Sequence, residues 1–295
     1  MRYISPLRYP GGKARLAPYF RRLIDAQPSR PRQYAEPFAG GAGAALALLT
    51  QGHVDRIHIN DINPGIAAFW EGVFNDTEHF ARAIETAEVS LEKWHEWRQI
   101  YAAGEDADRF DLGFATFFLN RANRSGILEA RPIGGLDQTG TWKIDARFNK
   151  TALAERVRFL GQYSDAVTIH QKDALAFLND LEPLGNDTFV YVDPPYIEEG
   201  ERLYLHAFGA SHGSLSAHLA ATSLPWVLTY DVHKDIRQTL YSELRCAIFE
   251  ISHTAQKQHV GSEYMLFSPD LAVPDLRVTP NRTGRFLPTL AADAV

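Results

Sequence analysis

The residues Asp193-Pro194-Pro195-Tyr196 combine a carboxylate, two rigid prolines and an aromatic ring in one short stretch. They follow Phe189 to Val192, an apolar, β-branched and aromatic run that reads as a short buried strand. Asp193 precedes a proline, so it is pushed to the extended region and does not open a helix. Pro194 and Pro195 fix their own φ angles and donate no backbone hydrogen bonds. The result is a stiff turn at a strand end, where ligands of α/β sheets bind. A carboxylate beside a bare carbonyl can accept the two N–H hydrogens of an exocyclic amine and localise its lone pair for attack on an electrophile. Tyr196 can stack on the base that bears the amine. Asp193 either removes the proton or only accepts a hydrogen bond. An ordinary Asp-Pro turn has the same local pattern, so the rest of the chain must decide.

A second constellation is Glu36-Pro37-Phe38-Ala39-Gly40-Gly41-Ala42-Gly43. Its glycines let backbone pass close to a ligand at a helix start. Asp61 follows about 20 residues on, at the end of the next strand, where an acid binds ribose hydroxyls. Together they indicate a nucleoside-containing cofactor. The nicotinamide fingerprint fits poorly, because Leu46 stands where its third glycine belongs. Glu36 would repel a pyrophosphate and suits a cationic group instead, such as the amino group of S-adenosylmethionine. At the amino end, Tyr9, Gly11, Gly12 and Lys13 lack the spacing of a phosphate loop, and no strand precedes them. A lysine there suits an amino-acid carboxylate. No metal-ligand spacing and no Ser-His-Asp set stands out among the scattered histidines. His206 and His218 read as surface or capping residues.

These groups need a scaffold. Strands alternating with helices predict a parallel, doubly wound α/β sheet, with strands ending near Glu36, Asp61 and Val192. "AVTIHQKD", "WVLTYD", "CAIFEI" and "EYMLFS" complete the sheet. From about 67 to 120 the pattern is helical, and Trp94 and Trp97 share a helical face as core residues. From 121 to 149 it turns Gly-rich, basic and irregular, as a long hairpin or loop would be. Residues 67–149 therefore read as an insertion. After about 270 periodicity is lost, which predicts a loosely held tail.

Composition narrows the field. The 295 residues are 45% hydrophobic and carry a net charge of -6, yet 1–34 hold eight Lys/Arg against Asp25 alone. Residues 121–158 hold eight against four acids. Two basic segments on an acidic body suggest a directed anionic partner. Cys246 is the single cysteine, which excludes an intrachain disulfide or a multi-cysteine zinc site and fits a cytoplasmic protein. No apolar run is long enough to span a membrane, and no signal peptide is expected.

The chain resembles the Dam-like (D12 class) DNA N6-adenine methyltransferases. The resemblance is carried by "YPGGK", "EPFAGGAG", "NDIN", "FFLNRANRSGIL", "GTWKIDARFNK", "KDALAFL", "DPPYIEEGERLYLHAF", "WVLTYD" and "EYMLFS", in family order from 5 to 268. It implies a class I methyltransferase fold, Rossmann-like with a mostly parallel seven-stranded sheet. It implies S-adenosylmethionine as cofactor, with 1–66 and 150–270 forming the catalytic domain. Residues 67–149 would be an inserted target-recognition domain, and 271–295 a tail. It places Tyr9, Gly12 and Lys13 at the methionine end of the cofactor, and Glu36, Phe38, Gly40 and Gly41 along its turn. Asp61 would take the ribose hydroxyls, Ile62 would pack near the adenine, and Asp173 would bind the adenine amino group, or cap the helix that follows it. Asp193, Pro194, Pro195 and Tyr196 would form the methyl-transfer site on a flipped-out adenine in double-stranded DNA. Asp193 would also border the cofactor. Arg121, Arg124, Arg131, Lys143, Arg147 and Lys150 are candidates for DNA contacts, mostly to phosphates. Members that read GATC carry an Arg-Tyr-Asn and an Asn-x-Pro-Phe-Gly stretch where this chain reads "EARPIGG" and "WKIDARF", so that recognition site is not carried over.

Four other readings share some of these features. Cytosine-N4 methylation uses the same amine chemistry but often prefers Ser in place of Asp193. RNA presents a similar flipped base. A non-catalytic, cofactor-bound DNA-binding module would tolerate loss of Asp193 or of the glycine turn, and both are intact. A nicotinamide oxidoreductase would retain a different bound nucleotide. The sequence is compatible with a solitary methylase and with one that has a cognate restriction enzyme or a defence-system partner.

Overall fold

The computed structural model describes residues 4–8, 13–195, 211–253, 259–279 and 281–288. Tyr9, Gly12, Tyr196 and His206 lie outside the described residues. Eight strands form one sheet in the order β3-β2-β1-β4-β5-β7-β6-β8. They are β1 (Gln33–Glu36), β2 (Arg56–Asn60), β3 (Val167–His170), β4 (Thr188–Val192), β5 (Trp226–Asp231), β6 (Cys246–His253), β7 (His259–Phe267) and β8 (Arg285–Phe286). The first five in chain order pair in parallel. β7 enters antiparallel between β5 and β6.

Strand order reverses between β1 and β4, which start as neighbours and diverge to opposite halves of the sheet. The carboxyl ends of strands at such a reversal are the usual ligand position in these folds. The glycine turn follows β1, Asp61 follows β2 and Asp193 follows β4. The topology therefore gathers the sequence-predicted groups at one edge.

Period-2 alternation explains why the sheet is covered on both faces. Tyr34, Ile57, Ile59, Phe189, Tyr191 and Val227 point into one core, with α1 (Ala17–Asp25), α2 (Gly43–Thr50), α3 (Pro64–Asn75), α4 (Thr77–Thr86), α6 (Arg109–Ala122) and α7 (Lys150–Gly161). Ala35, Val190, Val192, Trp226 and Leu228 point into the other, under α8 (Ala174–Leu181) and α9 (Ser211–Ala221). The helix α5 (Leu91–Ala103) packs on α6 through Trp94, which is buried and donates its indole N–H to Asn123 at 2.6 Å. α3 and α6 approach backbone to backbone: a Cβ added at Gly113 would lie 2.5 Å from the Ala68 carbonyl oxygen.

Three boundaries differ from the sequence expectation. The sheet has an eighth strand, because Phe286 and Arg285 pair with Ala247 and Ile248. The predicted break at 66/67 falls inside α3, which Pro64 and the Asn63 cap begin and whose Ile66 to Trp70 are all buried. The tail is held to the body through much of its length. Leu271, Leu276 and Val278 are buried, Gln27 exchanges two hydrogen bonds with Ala272, and Arg22 pairs with Asp275 at 2.7 Å. Apolar residues without a helical or strand period still find cover when the chain runs along a groove. Arg121 and Ala122 end α6, and residues 123–149 form successive turns with a single bridge, Asn123 to Pro132.

Candidate active site

Asp193 stands at the end of β4, 22% exposed, between three elements. Its Oδ1 accepts the Thr229 hydroxyl of β5 at 2.7 Å and lies 3.2 Å from the Lys13 ammonium. Thr229 in turn shares a 2.8 Å hydrogen bond with the Tyr191 hydroxyl. Nothing among the described residues bonds Oδ2. Burial pushes the Asp193 carboxyl up, Lys13 pulls it down and Glu263 pushes it up. Pro194 is buried and Pro195 half-buried beside it.

Lys13 also donates to both carboxylate oxygens of Glu263 on β7, at 2.7 and 3.0 Å. Lys13 is 8% exposed and Glu263 1%. Sequence reasoning misses Glu263. The available signal is an acid at a buried register position in the otherwise apolar "EYMLF".

The glycine turn is shaped by its backbone. Gly40 has φ 45° and Ala42 φ 47°, so the chain turns twice through the left-handed region before α2. Ala42 cannot cap α2 with its side chain. Glu36 does so from β1: its Oε1 accepts the Ala45 N–H and the Tyr34 hydroxyl, both at 3.0 Å. Glu36 is 4% exposed, and burial pushes its carboxyl up to about 8. The folded protein thus holds a proton that the unfolded chain releases near 4.5. This contribution to stability is complete below 4.5 and drains as pH rises towards 8, with a slope of at most about 1.4 kcal/mol per pH unit. Glu36→Gln keeps both acceptor contacts and is expected to flatten the fall of the unfolding midpoint between about pH 5 and 8. Parallel slopes for variant and wild type would refute the assignment.

Asp61 joins the turns after β1 and β2. Its Oδ2 accepts the Gly40 N–H at 2.9 Å and its Oδ1 the Asn63 N–H at 3.0 Å. Desolvation pushes its carboxyl up to about 6 against those two bonds. Ile62 beside it is 56% exposed, and Phe38 is half-buried. Asn60, another residue that sequence reasoning passes over, is buried and ties three strand ends together. It donates to the Pro37 and Lys172 carbonyls and accepts the Lys172 N–H, all within 3.0 Å. Asp173 is exposed and caps α8, accepting from Leu175 and Ala176. Acids at Glu36, Asp61, Asp173 and Asp193, an exposed aliphatic face at Ile62 and a tight glycine turn suit a cationic nucleoside. Among the described residues no group of three His, Cys, Asp or Glu could hold a metal ion, and no helix is long and apolar enough to cross a membrane.

The basic segments meet away from the sheet. Arg8, Arg121, Arg147 and Arg156 sit close enough to disturb one another electrostatically. Arg121 is pushed down to about 9 by burial and by the other three. Its guanidinium bonds the carbonyls of Arg147 and Pro6, Arg8 bonds that of Asn123, and Arg156 that of Ser5. Arg8 and Arg156 are additions to the sequence candidates. Arg124 and Arg131 are exposed on the turns that follow, and Lys143 is exposed with its ammonium 2.5 Å from the Gln138 carbonyl. Lys150 opens α7. Trp142 projects from the same segment at 68% exposure.

The family model for D12 class N6 adenine-specific DNA methyltransferases matches residues 9–246, most of the chain. A comparison with curated proteins gives no match. The chain belongs to this family of adenine-specific DNA methyltransferases, which are enzymes.

Proposed function

We propose that this member of the family transfers a methyl group from S-adenosylmethionine to the exocyclic N6 of an adenine flipped out of double-stranded DNA. The observation that carries the reading is the pairing, at one sheet edge, of an acid-lined glycine turn with a half-clamped Asp193. Glu36, Phe38, Gly40, Gly41, Asp61, Ile62 and Asp173 would hold the methyl donor, which supplies an electrophilic methyl on a cationic sulfur. Asp61 holds two N–H groups and has lone pairs left for ribose hydroxyls. Asp193 has Oδ1 fixed by Thr229 and Lys13, and its Oδ2, unbonded among the described residues, would accept one N6 hydrogen. The Pro194 carbonyl would accept the other. Held by both, the nitrogen presents its lone pair in line with the methyl, and a carboxylate faces the positive charge that develops on it.

A base inside a duplex is out of reach of this sheet edge, which requires extrusion of the nucleotide. The arginine cluster and the exposed, cation-flanked Trp142 support DNA as the partner, since backbone contacts set register and an exposed aromatic can stack on bases. The test is purified protein, plasmid DNA from a methylation-free host and labelled cofactor, read by mass and by single-molecule sequencing. N6-methyladenine at one motif is expected. N4-methylcytosine, or transfer to RNA alone, would replace the adenine reading.

A further inference from the structure

We propose that Glu263 is a positioning residue for the reaction: by neutralising Lys13 it leaves Asp193 its charge and its second oxygen. The inference rests on the role of Asp193 proposed above.

The geometry is asymmetric. Lys13 lies 2.7 and 3.0 Å from the two Glu263 oxygens but 3.2 Å from one oxygen of Asp193. The ammonium therefore belongs mainly to Glu263 and touches Asp193 from the side already taken by Thr229. Glu263 is fixed in this place by the sheet. It sits on β7 with Asp231 of β5 and Phe249 of β6 as its register partners on either side.

Charge explains what this arrangement does. The reaction brings a cationic methyl donor to Asp193 and moves positive charge onto the target nitrogen. An uncompensated lysine 3.2 Å from Asp193 would oppose both. It would also be drawn onto the carboxylate and compete for Oδ2. Glu263 cancels the lysine, so the three groups together carry one net negative charge where positive charge develops. Lys13 in turn favours the ionised form of Asp193 against the burial that pushes its carboxyl up. Among the described residues, Glu36 and Tyr34 from β1, Tyr191 from β4 and Tyr230 from β5 also feel the charge of Asp193, and Thr229 of β5 bonds it.

Glu263→Gln, Lys13→Met and their combination separate this role from a structural one. Single-turnover methylation is measured against pH, together with cofactor affinity and the unfolding midpoint without cofactor. Glu263→Gln removes a negative neighbour of Asp193, so the acid limb of the rate profile should move to lower pH and the plateau fall roughly 10- to 100-fold. Lys13→Met should move that limb to higher pH. In the Lys13→Met background, adding Glu263→Gln should cost less than about threefold, and the midpoint losses should be less than additive. Cofactor affinity should change less than the rate does.

Acid limbs that stay in place or move the same way overturn the proposal. So does a full rate loss from Glu263→Gln when Lys13 is already Met, which would show that Glu263 acts on its own. If Glu263→Gln alone does not fold, the double variant against Lys13→Met decides in the same way. A wild-type protein that transfers no methyl to DNA refutes the proposed reaction and this inference with it. An active wild type with additive variants refutes the inference alone.

Discussion

Asp193→Ala is expected to lower single-turnover methyl transfer by at least about 10³-fold while S-adenosylmethionine binds within a few fold. The two effects separate because no hydrogen bond that shapes the glycine turn runs through Asp193. Glu36, Asp61 and Asp173 lie on β1, after β2 and before α8, and each is held by backbone N–H groups that do not involve Asp193. Loss of the carboxylate removes an acceptor for the target amine and the charge that faces the developing cation. It does not leave Lys13 unpaired, since Glu263 holds the ammonium at 2.7 Å. The variant should therefore fold, with an unfolding midpoint near that of the wild type or higher, because a desolvated acid has been removed. Asp193→Asn should also fail. The amide has no negative charge, and with its oxygen kept on Thr229 and Lys13 its NH₂ takes the place of Oδ2, where it cannot accept from the amine. Product counted by mass and cofactor affinity by calorimetry give the two numbers. Turnover of Asp193→Ala within tenfold of the wild type would remove Asp193 from the chemistry.

The parts of this site legible in the sequence are those written in contiguous residues. Phe189 to Val192 reads as a buried strand, and the prolines that follow must end it, so the sequence alone puts Asp193 at a strand end. Glu36 and the glycines are legible for the same reason, although the role of Glu36 in capping α2 is not. That role exists because Ala42, in the left-handed region, has no side chain to offer. Glu263 is illegible because its meaning depends on a contact 250 residues away. Period-2 reasoning sees a strand there but does not say which buried register position faces a lysine. The arginine cluster divides in the same manner. Arg121, Arg147 and Arg156 stand in one basic stretch, whereas Arg8 joins them only when the amino-terminal segment meets α6 and α7. The tail escapes periodicity arguments altogether. Leu271, Leu276 and Val278 follow a groove instead of an axis, so their burial leaves no repeat in the sequence.

Replacing Arg121 and Arg147 together by Gln is expected to weaken DNA binding roughly 10- to 100-fold at moderate salt and to reduce the salt slope by about two. A guanidinium does not give up its proton in a protein. Burial first, and then the charges of Arg8, Arg156 and Arg147, push Arg121 down to about 9, so the fold holds a desolvated guanidinium among other cations. No carboxylate among the described residues is paired with Arg8, Arg121, Arg147 or Arg156 within ion-pair distance, and Arg8, Arg121 and Arg156 bond backbone carbonyls instead. Several other arginines do have carboxylate partners: Arg158 meets Glu78 and Glu85, and Arg109 meets Glu71. Charge left unbalanced within one cluster fits a site whose counter-ion arrives with the partner, and a DNA phosphate has the charge and the geometry for guanidinium forks. Stability then separates binding from architecture. Arg147 is exposed and makes no bond through its side chain among the described residues, so Arg147→Gln alone should relieve repulsion and leave the unfolding midpoint unchanged or raised. Binding measured by fluorescence anisotropy over a range of salt should fall in the same variant. A lowered midpoint with unchanged DNA affinity and slope would make the cluster part of the scaffold, and the DNA would have to be held by Arg124, Arg131 and Lys143 on the turns beyond it.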